Sequence, residues 1–368
     1  MDGSSNFITK WELDTPALLV DLDAMKKNLD TMAQYCRDKG INLRPHSKTY
    51  KAVPFFAWMQ LKAGAIGITV SKLTEAETLA ASGVNSILIA NQIVGRTKIK
   101  RLANLCAYTD TIAATDCLEN IEMISEIASA QGVKVGLLVE VDIGNNRCGA
   151  DPDESIELAQ AITRLNGVEF RGIMGYDGHL VFMEDSEKKE LLSVEAYKKL
   201  ASVKERLESM GIPVEIVSGS GSGTYKSATS VKSLTELQAG TYIFNDTTYK
   251  SKCLPEYECV LSIMATVISK KQRPGFENMA ILNLGKKCIS LNYGFPPVKS
   301  HKGEIYSMPQ EHCRIRLSPD NPDVKVGDPI EIYVSDSNET FNLYEHVYLV
   351  RGDLVVGKIE IYSHGKTT

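Results

Sequence analysis

The chain has 368 residues, of which 43% are hydrophobic, 24% charged and 7% aromatic; this excludes a disordered, collagen-like or coiled-coil protein and predicts one large domain plus a smaller one. Forty-one Lys and Arg against 46 Asp and Glu leave a net charge of -5, so no field draws the chain to nucleic acid or anionic lipid, and a small-molecule partner is favoured. The eight cysteines lack the spacing of a zinc knuckle or redox pair and read as reduced thiols; with no leader pattern and no 18-residue apolar run, a cytoplasmic protein without membrane contact is expected.

Eight short apolar runs recur along the first two-thirds: Ala17–Asp21, Asn42–His46, Ala65–Val70, Ser86–Asn91, Thr111–Thr115, Lys134–Asp142, Phe170–Tyr176 and Val214–Ser218. They are unalternated and rich in Val, Ile and Leu, as parallel strands buried on both faces must be. The segments between them carry helical spacing, as in Leu73, Ala76, Leu79 and Ala80. This rhythm predicts a (β/α)8 barrel over residues 15–250, with an open doubly wound sheet as the alternative. From 251 to 368 the texture changes to alternating segments such as CVLSIMATVISK, PIEIYVSD and EHVYLVRGDLVVGKIEIYS. These predict a smaller antiparallel β domain, with residues 1–14 packed on it.

A barrel places its chemistry at the C-terminal strand ends. The second run closes as RPHSKTYK, which puts Lys48 at the mouth beside Arg44, His46 and Tyr50. A lysine there is desolvated and close to other cations, which lowers its pKa and favours imine formation; the alternative is an ordinary solvated lysine. The last run closes as VSGSGSGTY, where interleaved glycines let backbone N–H groups converge on a phosphate; a flexible loop has the same composition. Two further ends, EVDIGNNRCG and GIMGYDGH, carry Asp142, Asn146, Arg147, Tyr176, Asp177 and His179.

Taken in order, RPHSKTYK, EVDIGNNRCG, GYDG, SGSGSGTY and LQAGTYIFND resemble the D-threonine aldolase and D-serine dehydratase family, fold type III enzymes whose barrel is shared with alanine racemase and binds pyridoxal 5′-phosphate (PLP). The resemblance implies that Lys48 binds PLP covalently and that Arg147 and Tyr176 lie beside it. It assigns the phosphate to Gly221, Ser222, Gly223 and Thr224, helped by Gly240 and Thr241. Gln238 falls where alanine racemase has an arginine facing the pyridine nitrogen, and a neutral partner there implies a modest electron sink.

Many members of this family hold a divalent metal through a His-x-Cys or His-x-Asp pair. The matching positions here are Asp336 and Asn338, whose oxygen ligands suit Mg²⁺ or Mn²⁺ better than Zn²⁺, and whose composition is equally that of a turn. Glu311 with His312, and His364, are competing matches. Where several aldolases have a histidine as proposed base, this chain has Phe182, and the nearest histidine is His179. The resemblance therefore implies a PLP-dependent lyase, aldolase or dehydratase, acting on a D-configured 3-hydroxy amino acid such as D-threonine or D-serine, with Lys48 and His179 as catalytic residues. A metal-free amino-acid racemase and a non-catalytic PLP-binding protein are the alternatives. A homodimer is expected, because in such enzymes the β domain of one subunit completes the other's site.

Overall fold

In the computed structural model residues 8–271, 273–321 and 323–368 are described. In chain order the strands are β1 (Ala17–Asp21), β2 (Asn42–Leu43), β3 (Ile68–Val70), β4 (Ser86–Gln92), β5 (Asp110–Thr115), β6 (Val135–Glu140), β7 (Val168–Gly175), β8 (Ile216–Gly219) and β9 (Glu236–Leu237). They continue with β10 (Leu261–Ser269), β11 (Met279–Leu282), β12 (Gly303–Ser307), β13 (Cys313–Leu317), β14 (Pro329–Tyr333), β15 (His346–Arg351) and β16 (Leu354–Glu360). Two compact units result. One gathers Met32–Lys48, Ala52–Gly240 and Lys366–Thr368; the other gathers the N-terminal residues through Thr31, Thr49–Lys51 and Thr241–Gly365.

The first unit is the parallel sheet β2-β9-β8-β7-β6-β5-β4-β3. Its two ends meet where His46 bridges Thr69, with Thr69 N–H donating to the Pro45 carbonyl at 2.9 Å and Ile66 N–H to that of Leu43 at 2.9 Å. The closed sheet encloses Leu88, Ile112, Ala114, Leu138, Met174 and Ile216, one residue or pair from each of β4 to β8, as a side-chain-filled barrel requires. The helices between the strands bury the faces that their spacing dictates. In Leu73–Ala81, for example, Leu73, Ala76, Leu79 and Ala80 are buried.

The other unit is an eight-stranded mixed sheet, in which β14 joins through β10. Ala17–Asp21 belongs here. It pairs antiparallel with β10 and parallel with β15, so the expected first barrel strand is a central strand of this sheet instead. Burial on both faces gives it the same unbroken apolar signature as a barrel strand. The eighth barrel strand is β9, whose two residues carry no apolar run and were invisible to the pattern. Lys10 packs within this unit, with its ammonium 3.0 Å from Glu331 and 3.2 Å from Asp353. Among the described residues, no helix is long and apolar enough to cross a membrane.

Candidate active site

Five parallel strands present polar residues at their C-terminal ends. After β2 the chain enters the short helix Ser47–Tyr50, which carries Lys48. Arg147 follows β6, Tyr176 and the short helix Gly178–Leu180 follow β7, the loop 220–224 follows β8, and Gln238 and Gly240 follow β9.

Lys48, Arg147 and Gly221 gather around the Tyr176 ring. The Lys48 Nζ stands 5.9 Å from its centroid and the Arg147 guanidinium carbon 5.6 Å, while a Cβ added to Gly221 would lie 3.2 Å from Tyr176 Cε2. Lys48 is open to solvent yet ringed by protein. That crowding, with Arg147 next in effect, lowers its pKa below the usual lysine range, and Glu75 opposes the change. His46 Nδ1 accepts the Lys48 backbone N–H at 3.3 Å, which leaves Nε2 to face Ser71 Oγ at 3.3 Å. Burial, with Lys48 and Arg147 behind it, holds His46 well below the usual histidine range and hence neutral.

Gly240 shows how closely the backbone is packed here, since a Cβ would stand 2.1 Å from the His46 carbonyl oxygen. The β8 loop is pinned from below. Asp177, fully buried, accepts hydrogen bonds from Ser193 Oγ (2.7 Å), Tyr197 Oη (3.1 Å) and Thr224 Oγ1 (2.9 Å), and burial raises its pKa. Ser222 and Thr224 are buried, and a Cβ on Gly223 would meet Val181 at 2.7 Å. Thr241 lies in the other unit, where it opens the short helix Thr241–Ile243. His179 is exposed, its ring 3.6 Å from where a Gly144 Cβ would stand. Phe182 is half-buried.

Residues 20–248 match the family model of the alanine racemase N-terminal domain, and residues 260–350 that of a serine dehydratase domain. The chain belongs to the alanine racemase N-terminal domain family. It is 31% identical to a D-threonine aldolase of Arthrobacter sp., covering 96% of this chain and 93% of that one. It is 29% identical to a 3-hydroxy-D-aspartate aldolase of Paracoccus denitrificans (strain Pd 1222), with the same coverage. The solved D-threonine aldolase from Filomicrobium marinum superposes with a TM-score of 0.92 at 31% identity, over 98% of each chain. This is the lyase branch of a family of PLP-dependent enzymes. The residues present fit that cofactor: the barrel mouth holds a lysine of lowered pKa, with Arg147 and the Tyr176 ring beside it and, next to that ring, a glycine-rich loop whose Gly221 leaves its backbone without a side chain.

A divalent metal does not fit Asp336 and Asn338. Asp336 Oδ2 accepts from Ser290 Oγ (2.9 Å) and Asn292 Nδ2 (3.0 Å), and Oδ1 accepts from Glu339 N–H (3.3 Å) as the cap of the short helix Ser337–Phe341. Asp336 is thus engaged as a helix cap with two further donors on Oδ2, which takes up most of its capacity as an acceptor. Asn338 Oδ1 is buried without a hydrogen-bond partner among the described residues, and one such oxygen is not a metal site. Glu311 is paired with Lys287 at 2.6 Å, and His312 and His364 are exposed. Among the described residues no group of three or more His, Cys, Asp or Glu side chains could hold a metal.

Sequence reasoning named Asp177 without a role and missed Glu140. The latter is buried behind Arg147, 3.9 Å from its guanidinium, and accepts from Gln92 Nε2 at 2.6 Å. Its place as the last residue of an otherwise apolar strand was the available signal.

Proposed function

We propose that this chain is a PLP-dependent lyase that cleaves or dehydrates a D-configured 3-hydroxy amino acid, with D-threonine and D-serine as the representative substrates. The observation that carries this reading is the convergence of Lys48 and Arg147 on the Tyr176 ring, beside the Gly221 loop. The relatives reported above are lyases by name, and racemisation is not favoured.

In this reading Lys48 holds the cofactor covalently. Its lowered pKa keeps a larger share of the amine neutral and nucleophilic at physiological pH. The loop Gly221–Thr224 and Gly240 hold the phosphate by close backbone approach, with Thr241 next along the chain. Tyr176 and Arg147 flank the ring, and Gln238 faces its nitrogen. The bound cofactor supplies the sink for the electron pair left at the α-carbon. His46 stays neutral, so that it adds no positive charge beside Lys48 and orients the Lys48 backbone. His179 moves the β-hydroxyl proton, since no histidine stands at Phe182. In aldol cleavage the Cα–Cβ bond breaks, the hydroxyl loses its proton and Cα gains one; in dehydration Cα loses its proton, the Cβ–O bond breaks, and the hydroxyl takes up a proton to depart as water.

A cytoplasmic location is supported by eight free thiols. A homodimer is part of the same proposal, and sedimentation at micromolar concentration tests it. The function itself is tested by product analysis. D-threonine should give glycine and acetaldehyde, or D-serine pyruvate and ammonia. Exchange of the α-proton in D₂O with loss of optical rotation and no bond cleavage would establish the racemase instead.

A further inference from the structure

Inside the barrel one chain of hydrogen bonds has its direction fixed by chemistry. Arg44 Nε donates to both oxygens of Glu236 (3.0 and 3.1 Å), Nη2 donates to Oε2 (3.1 Å), and Nη1 donates to Ser86 Oγ (2.7 Å). Arginine only donates and a carboxylate paired with it only accepts, so this end cannot be reversed. Ser218 gives its single hydroxyl proton to Glu236 Oε1 at 2.7 Å. Its oxygen is then left only to accept, and the Gln238 amide, 2.9 Å away, must approach with Nε2. Arg44, Ser218, Glu236 and Gln238 are 5%, 0%, 2% and 8% exposed, so bulk water offers no alternative partner. Even the room for the guanidinium is specified, because a Cβ on Gly67 would stand 2.4 Å from Arg44 Nη1.

We propose that Glu236, acting through Ser218, is a positioning residue that fixes the orientation of the Gln238 amide at the cofactor ring. An isolated glutamine can exchange its nitrogen and oxygen ends by rotating about its last torsion at little cost. Here rotation would set Oε1 against a Ser218 oxygen that has no proton left, two acceptors facing each other in a buried site. The ring nitrogen therefore meets one fixed, uncharged partner. This proposal rests on the reading that Gln238 faces that nitrogen.

The test uses the PLP-loaded enzyme and two readouts besides turnover, the pH titration of its visible absorption band and the Kd for PLP. Ser218→Ala cuts the link while leaving the Arg44–Glu236 pair intact, and Ser218→Thr keeps the hydroxyl. Gln238→Leu and Ser218→Ala should displace the band's titration in the same direction and weaken PLP by about threefold to tenfold, the worth of one neutral hydrogen bond. The double variant should add nothing further, and Ser218→Thr should resemble the parent. If Gln238→Leu changes both readouts and Ser218→Ala changes neither, the positioning role is wrong while Gln238 keeps its place. If Gln238→Leu itself changes nothing, Gln238 does not face the ring and the proposal falls with that reading. Should Ser218→Ala fail to fold, Gln238→Glu, which has no N–H to give Ser218, must displace the titration in its place, and an unchanged band overturns the proposal.

Discussion

The loops at the barrel strand ends and the turn around Ser337 in the mixed sheet are built from similar polar residues, but use them differently. At the barrel mouth Lys48, Arg147 and Tyr176 meet face to ring, and crowding by protein shifts Lys48 and His46 away from their ordinary titration ranges. Around Ser337 the carboxylates of Asp246 and Asp336 are already engaged. Asp246 Oδ1 caps Thr248 and Tyr249, its Oδ2 takes the Ser337 N–H and hydroxyl, and Asp336 caps the next helix. Polar groups whose capacity is spent internally hold a fold together, whereas cations held beside a ring and a glycine-rich loop retain capacity for a ligand.

That contrast can be broken in several ways. The largest effect is expected from Lys48→Ala, which should abolish turnover and the visible absorption of lysine-bound cofactor, with the thermal midpoint of the apoprotein little changed. Next, Gly221→Val would push a side chain into the Tyr176 ring and should weaken PLP by about tenfold, or ~1.4 kcal/mol, read as a Kd by fluorescence titration. On the other side of the comparison, Asp336→Ala should cost about 1 to 2 kcal/mol in urea unfolding through loss of the cap. Exhaustive EDTA treatment should leave turnover unchanged, and elemental analysis should find no stoichiometric Mg, Mn or Zn. A metal lost on Asp336→Ala together with activity would erase the distinction.

The smallest effect is a pH dependence. Burial raises the Asp246 pKa to about 6, with Asp336 contributing the same way. A carboxyl with a higher pKa folded than unfolded contributes most below its unfolded value and loses that contribution as pH rises through the folded one. The stability difference between the parent and Asp246→Ala should therefore be largest near pH 4 and shrink towards pH 7, as measured by urea unfolding.

Much of this was legible in the chain. Lys48, Arg147, Tyr176 and Gly221 could be grouped because each closes a strand or opens the loop after it, and parallel strands deliver their ends to one side. Two things were not. Ala17–Asp21 looks like a barrel strand because burial on both faces, rather than sheet membership, writes the apolar run, and β9 was hidden because two residues carry no period. The fate of Asp336 also lay beyond the sequence, since Asp-x-Asn serves a cation or a helix start equally well. Only the donors of Ser290, Asn292 and Glu339 decide between them.

We propose that Lys48 is the residue to which PLP is attached. Borohydride reduction of the PLP-loaded protein, followed by proteolysis and mass spectrometry, tests it most directly. A phosphopyridoxyl group is expected on the peptide containing Lys48 at close to one per chain. The same group on a different lysine, with the Lys48 peptide unmodified, would contradict it.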